Sequence, residues 1–259
     1  MKLISSKDNP FYKRLKQLAQ SSQQRRKLGQ TLLEGVHLAH AYLGALGQPL
    51  VCVAAESALD NDEVAQIWAK VDADRRVCLP DVLFEPLSTL VNGVSLLFVI
   101  EMPSGHLPAT QTTDCVILDA VQDAGNVGSI LRSAAAAGVR DVYCMSGTAL
   151  AWSSKVLRAG MGAHFSLNIV EHCTPDSLAP RLSVPLLATS LQTSTSLYAQ
   201  NLRTPVAWVF GNEGAGVSPH WLERVQTPIR IPQPGGMESL NVAACAAICL
   251  FEAVRQRLS

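Results

Sequence analysis

The residue types able to do chemistry in this 259-residue sequence are concentrated in three short stretches of its C-terminal half. The first is LDAVQDAGNVGSILRSAAAAGV, residues 118–139. An apolar strand pattern there runs into the turn Gly125-Asn126-Val127-Gly128 and then into a helical pattern whose apolar seam is Val127, Ile130, Leu131 and Ala134. A glycine turn at a helix start suits phosphate, but the spacing is neither GxGxxG nor GxxxxGKS/T, which argues against dinucleotide and P-loop chemistry. Arg132 lies off the seam, and the N-terminal lean of helical side chains carries it back over Gly128 toward Asn126. An arginine beside an asparagine, with a glycine leaving room, suits a phosphate or a ribose. A solvated arginine and a helix-capping asparagine are the plainer alternative.

The second stretch, VAWVFGNEGAGVS at 206–218, is a buried strand ending in Gly211-Asn212-Glu213-Gly214, with Gly216 beyond. Three glycines around one carboxylate let the backbone approach a ligand while Glu213 faces it. A turn carrying an exposed acid is the alternative. In the third, IRIPQPGGMESLNVAACAAICLFEAV at 229–254, a strand and a Pro/Gly loop lead through Glu238-Ser239-Leu240-Asn241 into a small-residue helix. Ser239 and Asn241 are both good N-caps, and capping accounts for only one of them. Ala243, Ala244, Ala246 and Ala247 permit close approach of another element, whether a dimer partner, a crossing of the chain or core.

Other chemistries find no support. The six histidines (His37, His40, His106, His164, His172, His220) lie outside these loops and form no Ser-His-Asp or Cys-His order. Seven cysteines without a CxxC pair suggest neither a disulfide framework nor a zinc site, and Cys245 and Cys249, four apart on a helix, read as core. No metal site is expected.

The elements that must position these stretches follow from apolar periodicity. CVILDAV, DVYCM, SLNIV, PLLATS, VAWVFG and IRIP read as strands, with helices at NVGSILRSAAAAGV and from about Leu240 to Arg257. Near-continuous apolar strands belong to a parallel sheet covered on both faces, and ligands of such sheets bind at the carboxyl ends of the strands, here the loops after Asp119, Ser190, Gly211 and Pro232. Before this, a helix opened by Asn9 and Pro10 carries Phe11, Leu15 and Leu18, a second helical pattern runs through LLEGVHLAHAYLGAL, and a βαβα rhythm follows. The fold class is therefore α/β, with a small α/β domain at 1–103, a linker at 104–113 where PSGHLPATQTTD lacks an apolar period, and a larger domain at 114–259.

Lys plus Arg and Asp plus Glu both number 21, and a net charge of zero would ordinarily argue against a nucleic-acid partner. The balance is a cancellation between segments. Residues 1–35 hold eight basic groups and two acidic ones, residues 36–108 hold three and nine, and the remainder is even at ten and ten. No stretch approaches a membrane span, and the polar, basic start lacks the apolar block of a secretion signal, so a cytoplasmic protein with no membrane partner is expected.

Taken in order, the three stretches closely resemble the three motifs of the SpoU (TrmH-like) branch of the SPOUT methyltransferases, which methylate RNA ribose 2′-hydroxyls using S-adenosylmethionine. The likeness covers 115–259 and rests on Asn126 and Arg132, on GNEG and on ESLN. SSKVLRAGMGAHF resembles the family's connecting segment, with Gly160 where Ser or Ala is usual. The N-terminal half is similar to the family's substrate-binding domain through SSKDNPFYKRLK and LLEGVHLAHAYL. The resemblance implies a C-terminal SPOUT domain with a deep trefoil knot, which dimerises with a second copy. It implies S-adenosylmethionine held by Gly211, Ile231 and Leu240 with the loop after Thr189, and a reaction centre of Asn126, Arg132, Glu213, Ser239 and Asn241. Glu213 and Asn241 would orient Arg132 and the ribose. A guanidinium hardly deprotonates, so Arg132 is better suited to gripping the adjacent phosphate and stabilising alkoxide charge than to acting as a base. RNA contacts are expected from Lys13, Arg14, Arg25 and Arg26 and from Lys155 and Arg158. Ribosomal RNA is the expected substrate. The same reaction on tRNA, or a non-catalytic RNA-binding or ribosome-assembly role, are the alternatives.

Overall fold

Asn9 caps the first helix, α1 (Pro10–Gln20), by accepting from the Phe11 N–H, and Pro10 occupies the first turn where its missing N–H costs nothing. The buried stripe is Tyr12, Leu15 and Leu18, so Tyr12 takes the inward position expected of Phe11. The computed structural model describes residues 2–89, 93–190, 193–236 and 238–258. It divides into two compact units, Met1–Pro103 with Trp152–Phe165, and Ser104–Ala151 with Ser166–Ser259.

The first unit is a five-stranded mixed sheet, in the order β1-β4-β3-β5-β2, of β1 (Lys2–Leu3), β2 (Gln30–Glu34), β3 (Val51–Ala55), β4 (Arg76–Leu79) and β5 (Leu96–Glu101). Its helices are α1, α2 (Ser22–Leu28), α3 (Val36–Ala45), α4 (Asp62–Lys70) and the short α5 (Asp81–Phe84). The helical pattern expected through LLEGVHLAHAYLGAL splits at Gly35. Thr31, Leu32, Leu33 and Glu34 are all buried in β2, which pairs antiparallel with β5, and only the part after Gly35 is helical. Burial on both faces of a strand overrides a local helical period.

The second unit is a six-stranded, wholly parallel sheet in the order β11-β9-β10-β6-β7-β8. Its strands are β6 (Cys115–Asp119), β7 (Asp141–Met145), β8 (Asn168–Cys173), β9 (Leu186–Thr189), β10 (Ala207–Gly211) and β11 (Thr227–Ile229). Between β6 and β7 lies α6 (Ala124–Ala136), and it buries the seam of Val127, Ile130, Leu131 and Ala134. Val127, Ile130 and Leu131 each contribute roughly 1.5–3 kcal/mol on burial, and the single methyl of Ala134 less. The closing helix α10 (Val242–Leu258) packs along α6, after the short α8 (Pro175–Leu178) and α9 (Pro219–Leu222).

Two segments depart from the expected division. The stretch expected as a linker is part of the second unit: Gln111 is 2% exposed, its amide donates to Thr113 and to Asp141 Oδ2 (3.2 Å), and it accepts from the Tyr143 hydroxyl (2.6 Å). A Cβ on Gly105 would lie 2.0 Å from the Ile169 carbonyl oxygen. Conversely, the connecting segment with α7 (Ser154–Gly160) folds with the first unit although its flanks belong to the second. Its small residues are there for fit. Gly160 is buried, and Gly162, at φ +90°, sits where a Cβ would come 2.7 Å from Ala41.

All seven cysteines are free thiols, and among the described residues no three His, Cys, Asp or Glu side chains group as metal ligands. No described helix is long and apolar enough to cross a membrane.

Candidate active site

Three adjacent parallel strands of the second unit, β11, β9 and β10, end beside one another. The loops leaving their carboxyl ends line a cleft of about 770 Å³, within the roughly 300–1,000 Å³ typical of small-molecule sites. Thr189, Gly211, Ile231 and Leu240, the four residues expected around a cofactor, all line it.

The GNEG stretch is shaped by its own side chains. Asn212 Oδ1 accepts from the N–H groups of Gly214 and Ala215 (both 2.9 Å), while its Nδ2 donates to the Ala120 carbonyl (2.9 Å). Its backbone exchanges hydrogen bonds with Gly216, folding the loop back over Gly211. A Cβ on Gly211 would lie 2.3 Å from Gly216 and Val217 backbone atoms, so only glycine permits this closure. Asp119, buried at the end of β6, accepts from the Ser218 N–H (2.7 Å) and fixes the loop's far side. Asn212 and Asp119 are site-building residues that sequence reasoning passed over. Their signal, a polar residue flanking a strand end, is common to many turns.

This closure brings the three motifs together. The Asn126 amide donates to Glu213 Oε1 (3.0 Å), and the Asn241 amide donates to Asn126 Oδ1 (2.9 Å). Glu213 also accepts from the backbone N–H groups of Gln122 and Asp123 (both 3.2 Å), which lead into α6. The helix cap is Asp123, which accepts from the Asn126 N–H (2.8 Å); Asn126 therefore lies in the first turn, with its side chain released for the cluster. At α10, Asn241 is the cap, accepting from the N–H groups of Ala243 and Ala244 while its amide serves Asn126. Ser239 lines the cleft, exposed and without a hydrogen-bond partner among the described residues.

Partial burial pushes the Glu213 carboxyl up. The Asn126 amide and the backbone N–H donors outweigh it and hold the group below the ordinary carboxylate value, so it is an anion at neutral pH.

Arg132 stands apart. It is exposed and makes no hydrogen bond or ion pair to this cluster among the described residues. Because α6 begins at Ala124, Asn126 and Arg132 are six residues apart on one continuous helix, about 120° apart around its axis. Among the described residues no hydrogen bond joins Arg132 to Asn126. Glu213 and Asn241 engage Asn126 in its place.

The basic residues expected to meet RNA divide into two kinds. Arg26 and Lys155 are exposed without partners among the described residues. Lys13 is 3.0 Å from Asp8, and Arg14 donates to Gln30 (2.7 Å), both at the surface. Arg25 and Arg158 are engaged within the first unit. Arg25 is half-buried and donates to the Leu18 carbonyl (2.7 Å), near the end of α1, and its burial lowers its pKa. Arg158 donates to the Thr89 hydroxyl (2.6 Å) and lies 4.0 Å from the buried Glu34 carboxylate, which also accepts from Ser88 and Thr89. A buried carboxylate needs such partners.

The donor set of the cleft suits S-adenosylmethionine. Leu222, Ile229, Ile231 and Val242 offer apolar walls for a purine, Thr189 and Ser190 offer hydroxyls, and Glu213 and Glu238 offer carboxylates to a cation. A parallel α/β sheet with such a cleft at its strand ends and an Asn-Glu-Asn cluster beside it is the arrangement in which α/β enzymes bind small ligands. The sequence profile of the SpoU rRNA Methylase family matches residues 114–251, and the chain belongs to that family. The chain is 32% identical to an uncharacterized tRNA/rRNA methyltransferase of Synechocystis sp., over 98% of this chain and 94% of that one. It is 31% identical to the 23S rRNA (guanosine(2553)-2′-O)-methyltransferase RlmP of Bacillus subtilis, over 97% and 98% of the two chains. The crystal structure of an AdoMet-bound rRNA methyltransferase from Sinorhizobium meliloti superposes with a TM-score of 0.85, at 27% identity, over 100% of this chain and 99% of that one. The activity class, S-adenosylmethionine-dependent 2′-O-methylation of RNA ribose, comes with the family.

Proposed function

We propose that this chain methylates a ribose 2′-hydroxyl of ribosomal RNA, with Asn126, Glu213, Ser239 and Asn241 at the reaction centre. One observation carries the assignment: polar side chains from three separate motifs are hydrogen-bonded to one another, and two of them, Glu213 and Asn241, line the cleft. Bound in that cleft, S-adenosylmethionine supplies an electrophilic methyl carbon on a cationic sulfur. The chain's own residues must hold the ribose oxygen in line and ease the loss of its proton. Glu213, ionised and held by three N–H donors, acts as a fixed acceptor that orients Asn126. The Asn126 carbonyl oxygen is taken by Asn241 and one amide hydrogen by Glu213, which leaves the second amide hydrogen for the ribose oxygen. Ser239 presents a free hydroxyl to the same space. Arg132, permanently charged, grips the neighbouring phosphate and is brought to the cluster by bound RNA or a second copy of the chain.

The first unit, with its basic α1 and α2, serves as the RNA-binding domain, and Lys155 extends that role from α7. A dimer through the second unit is supported by α10, where Ala244, Ile248, Phe251 and Leu258 form one stripe, with Phe251 46% and Leu258 84% exposed. The deep trefoil knot belongs to the same reading, supported by β11 returning beside β9, outside β10. A cytoplasmic location follows from the substrate. Ribosomal RNA is favoured over tRNA by the near full-length relative in Bacillus subtilis, a 23S rRNA enzyme. Mapping 2′-O-methyl groups in all stable RNAs from cells with and without the chain is the test. One ribosomal position should lose its methyl group; a loss confined to tRNA, or no loss, would overturn the assignment.

A further inference from the structure

Among the described residues, the cleft assigned to the cofactor is lined by two carboxylates, Glu213 and Glu238, and by no lysine, arginine or histidine. The two acids are not equivalent. Glu213 is engaged by Asn126 and by two backbone N–H groups, so much of its charge is already compensated. Glu238 is exposed in the loop between β11 and α10 and has no hydrogen bond or ion pair among the described residues. It lines the cleft three residues before Asn241, which is anchored to both α10 and Asn126.

We propose that Glu238 is a specificity-determining residue, which makes the cleft prefer the cationic methyl donor to the neutral thioether product. The inference rests on the cleft being the S-adenosylmethionine site. In the reaction a bond forms between the ribose oxygen and the methyl carbon. The carbon–sulfur bond breaks with its electron pair staying on sulfur, and the hydroxyl proton passes to solvent water. The positive charge on sulfur is thus discharged, while the amino-acid and adenosine portions, with their own charges, are unchanged. A carboxylate near the sulfur attracts the donor and gains nothing from the product, so it favours exchange of spent for fresh cofactor. In the transition state the sulfur keeps only part of its charge, so Glu238 acts on donor binding and does not accelerate the transfer step.

The test is calorimetric titration of the full-length wild type, Glu238→Gln and Glu238→Asp with S-adenosylmethionine and, separately, with S-adenosylhomocysteine at low salt. For a partly screened pair of unit charges, Glu238→Gln should weaken the donor about fivefold. It should leave the product within about twofold, with Glu238→Asp retaining most of the preference. The KM for the donor should rise by the same factor without a fall in saturated turnover, and high salt should shrink the wild-type preference. Equal weakening of both ligands would overturn the proposal, because the carboxylate would then serve a group that donor and product share. No change in either would overturn it as well. Failure of the wild type to bind either ligand would be a different result, overturning the cofactor site itself.

Discussion

At the residue scale the cluster is an accounting of donors and acceptors. The Asn126 amide is oriented at both ends, by Glu213 as acceptor and by Asn241 as donor, and this fixes which way its remaining hydrogen points. Replacing Asn126 by Asp keeps the shape, removes the donor to Glu213 and sets a second carboxylate about where a 3.0 Å hydrogen bond stood. Like charges at that distance disfavour ionisation, so the Glu213 pKa, now held low, should rise. A depressed carboxylate pKa means that the ionised cluster persists until pH falls through that low value. In Asn126→Asp the acid limb of the pH–rate profile should therefore move to higher pH, and kcat should fall by about 10²-fold or more. Asn126→Ala should lose turnover with a smaller movement of the limb, since it adds no charge. An Asn126→Asp enzyme with the wild-type profile would show that the cluster does not govern the reaction. Asn126, Glu213 and Asn241 stood out in the sequence as candidates, each in its own motif. Their mutual bonds did not, because 87 and 115 residues of chain separate the partners.

At the scale of elements, the basic N-terminal segment separates into two jobs that composition cannot distinguish. Arg25, in α2, binds carbonyls near the end of α1, where the last turn of any helix leaves acceptors unsatisfied. Its neighbours Arg26 and Lys27 face solvent. Arg25→Ala should cost about 1 kcal/mol of stability, read as a lower melting temperature, because the loss is of a structural hydrogen bond to a charged donor. Arg26→Ala combined with Lys27→Ala should leave the melting temperature nearly unchanged and reduce the slope of log affinity for RNA against log salt by about 2. If the double variant keeps the wild-type slope, α2 is not the RNA surface. The same distinction applies to α7. Arg158 is a partner of Thr89 and the buried Glu34, whereas Lys155 is free to meet RNA. A helical or basic pattern reports which residues are polar. It does not report which of them a buried carboxylate or an open carbonyl will claim.

At the scale of the whole molecule, the proposed dimer places a second copy of the chain over the stripe of Ala244, Ile248, Phe251 and Leu258 on α10, of which Phe251 and Leu258 are exposed. Phe251→Glu should weaken self-association by ~30-fold, on the order of 2 kcal/mol, seen as a shift toward monomer in sedimentation velocity with the circular dichroism unchanged. A wild type that sediments as a monomer, or a variant that stays dimeric, would rule out this face. The chain passes between its two units three times, after residues 103, 151 and 165, because the connecting segment folds with the first unit. The sequence by itself determined five of the six parallel-sheet strands, the seam of α6 and the order of motifs that marks the family. Each of these is written in local apolar period or in contiguous residue types, and a short window of sequence contains it. The sixth strand, expected at 229–232, is formed by Thr227–Ile229 and shares only Ile229 with that expectation. Only the tertiary structure decided that LLE is a strand, that the apparent linker is packed, that Arg132 stands outside the cluster, and which cations remain free. Those outcomes depend on partners far apart in the chain, and burial and hydrogen-bond satisfaction between such partners override what any local stretch prefers.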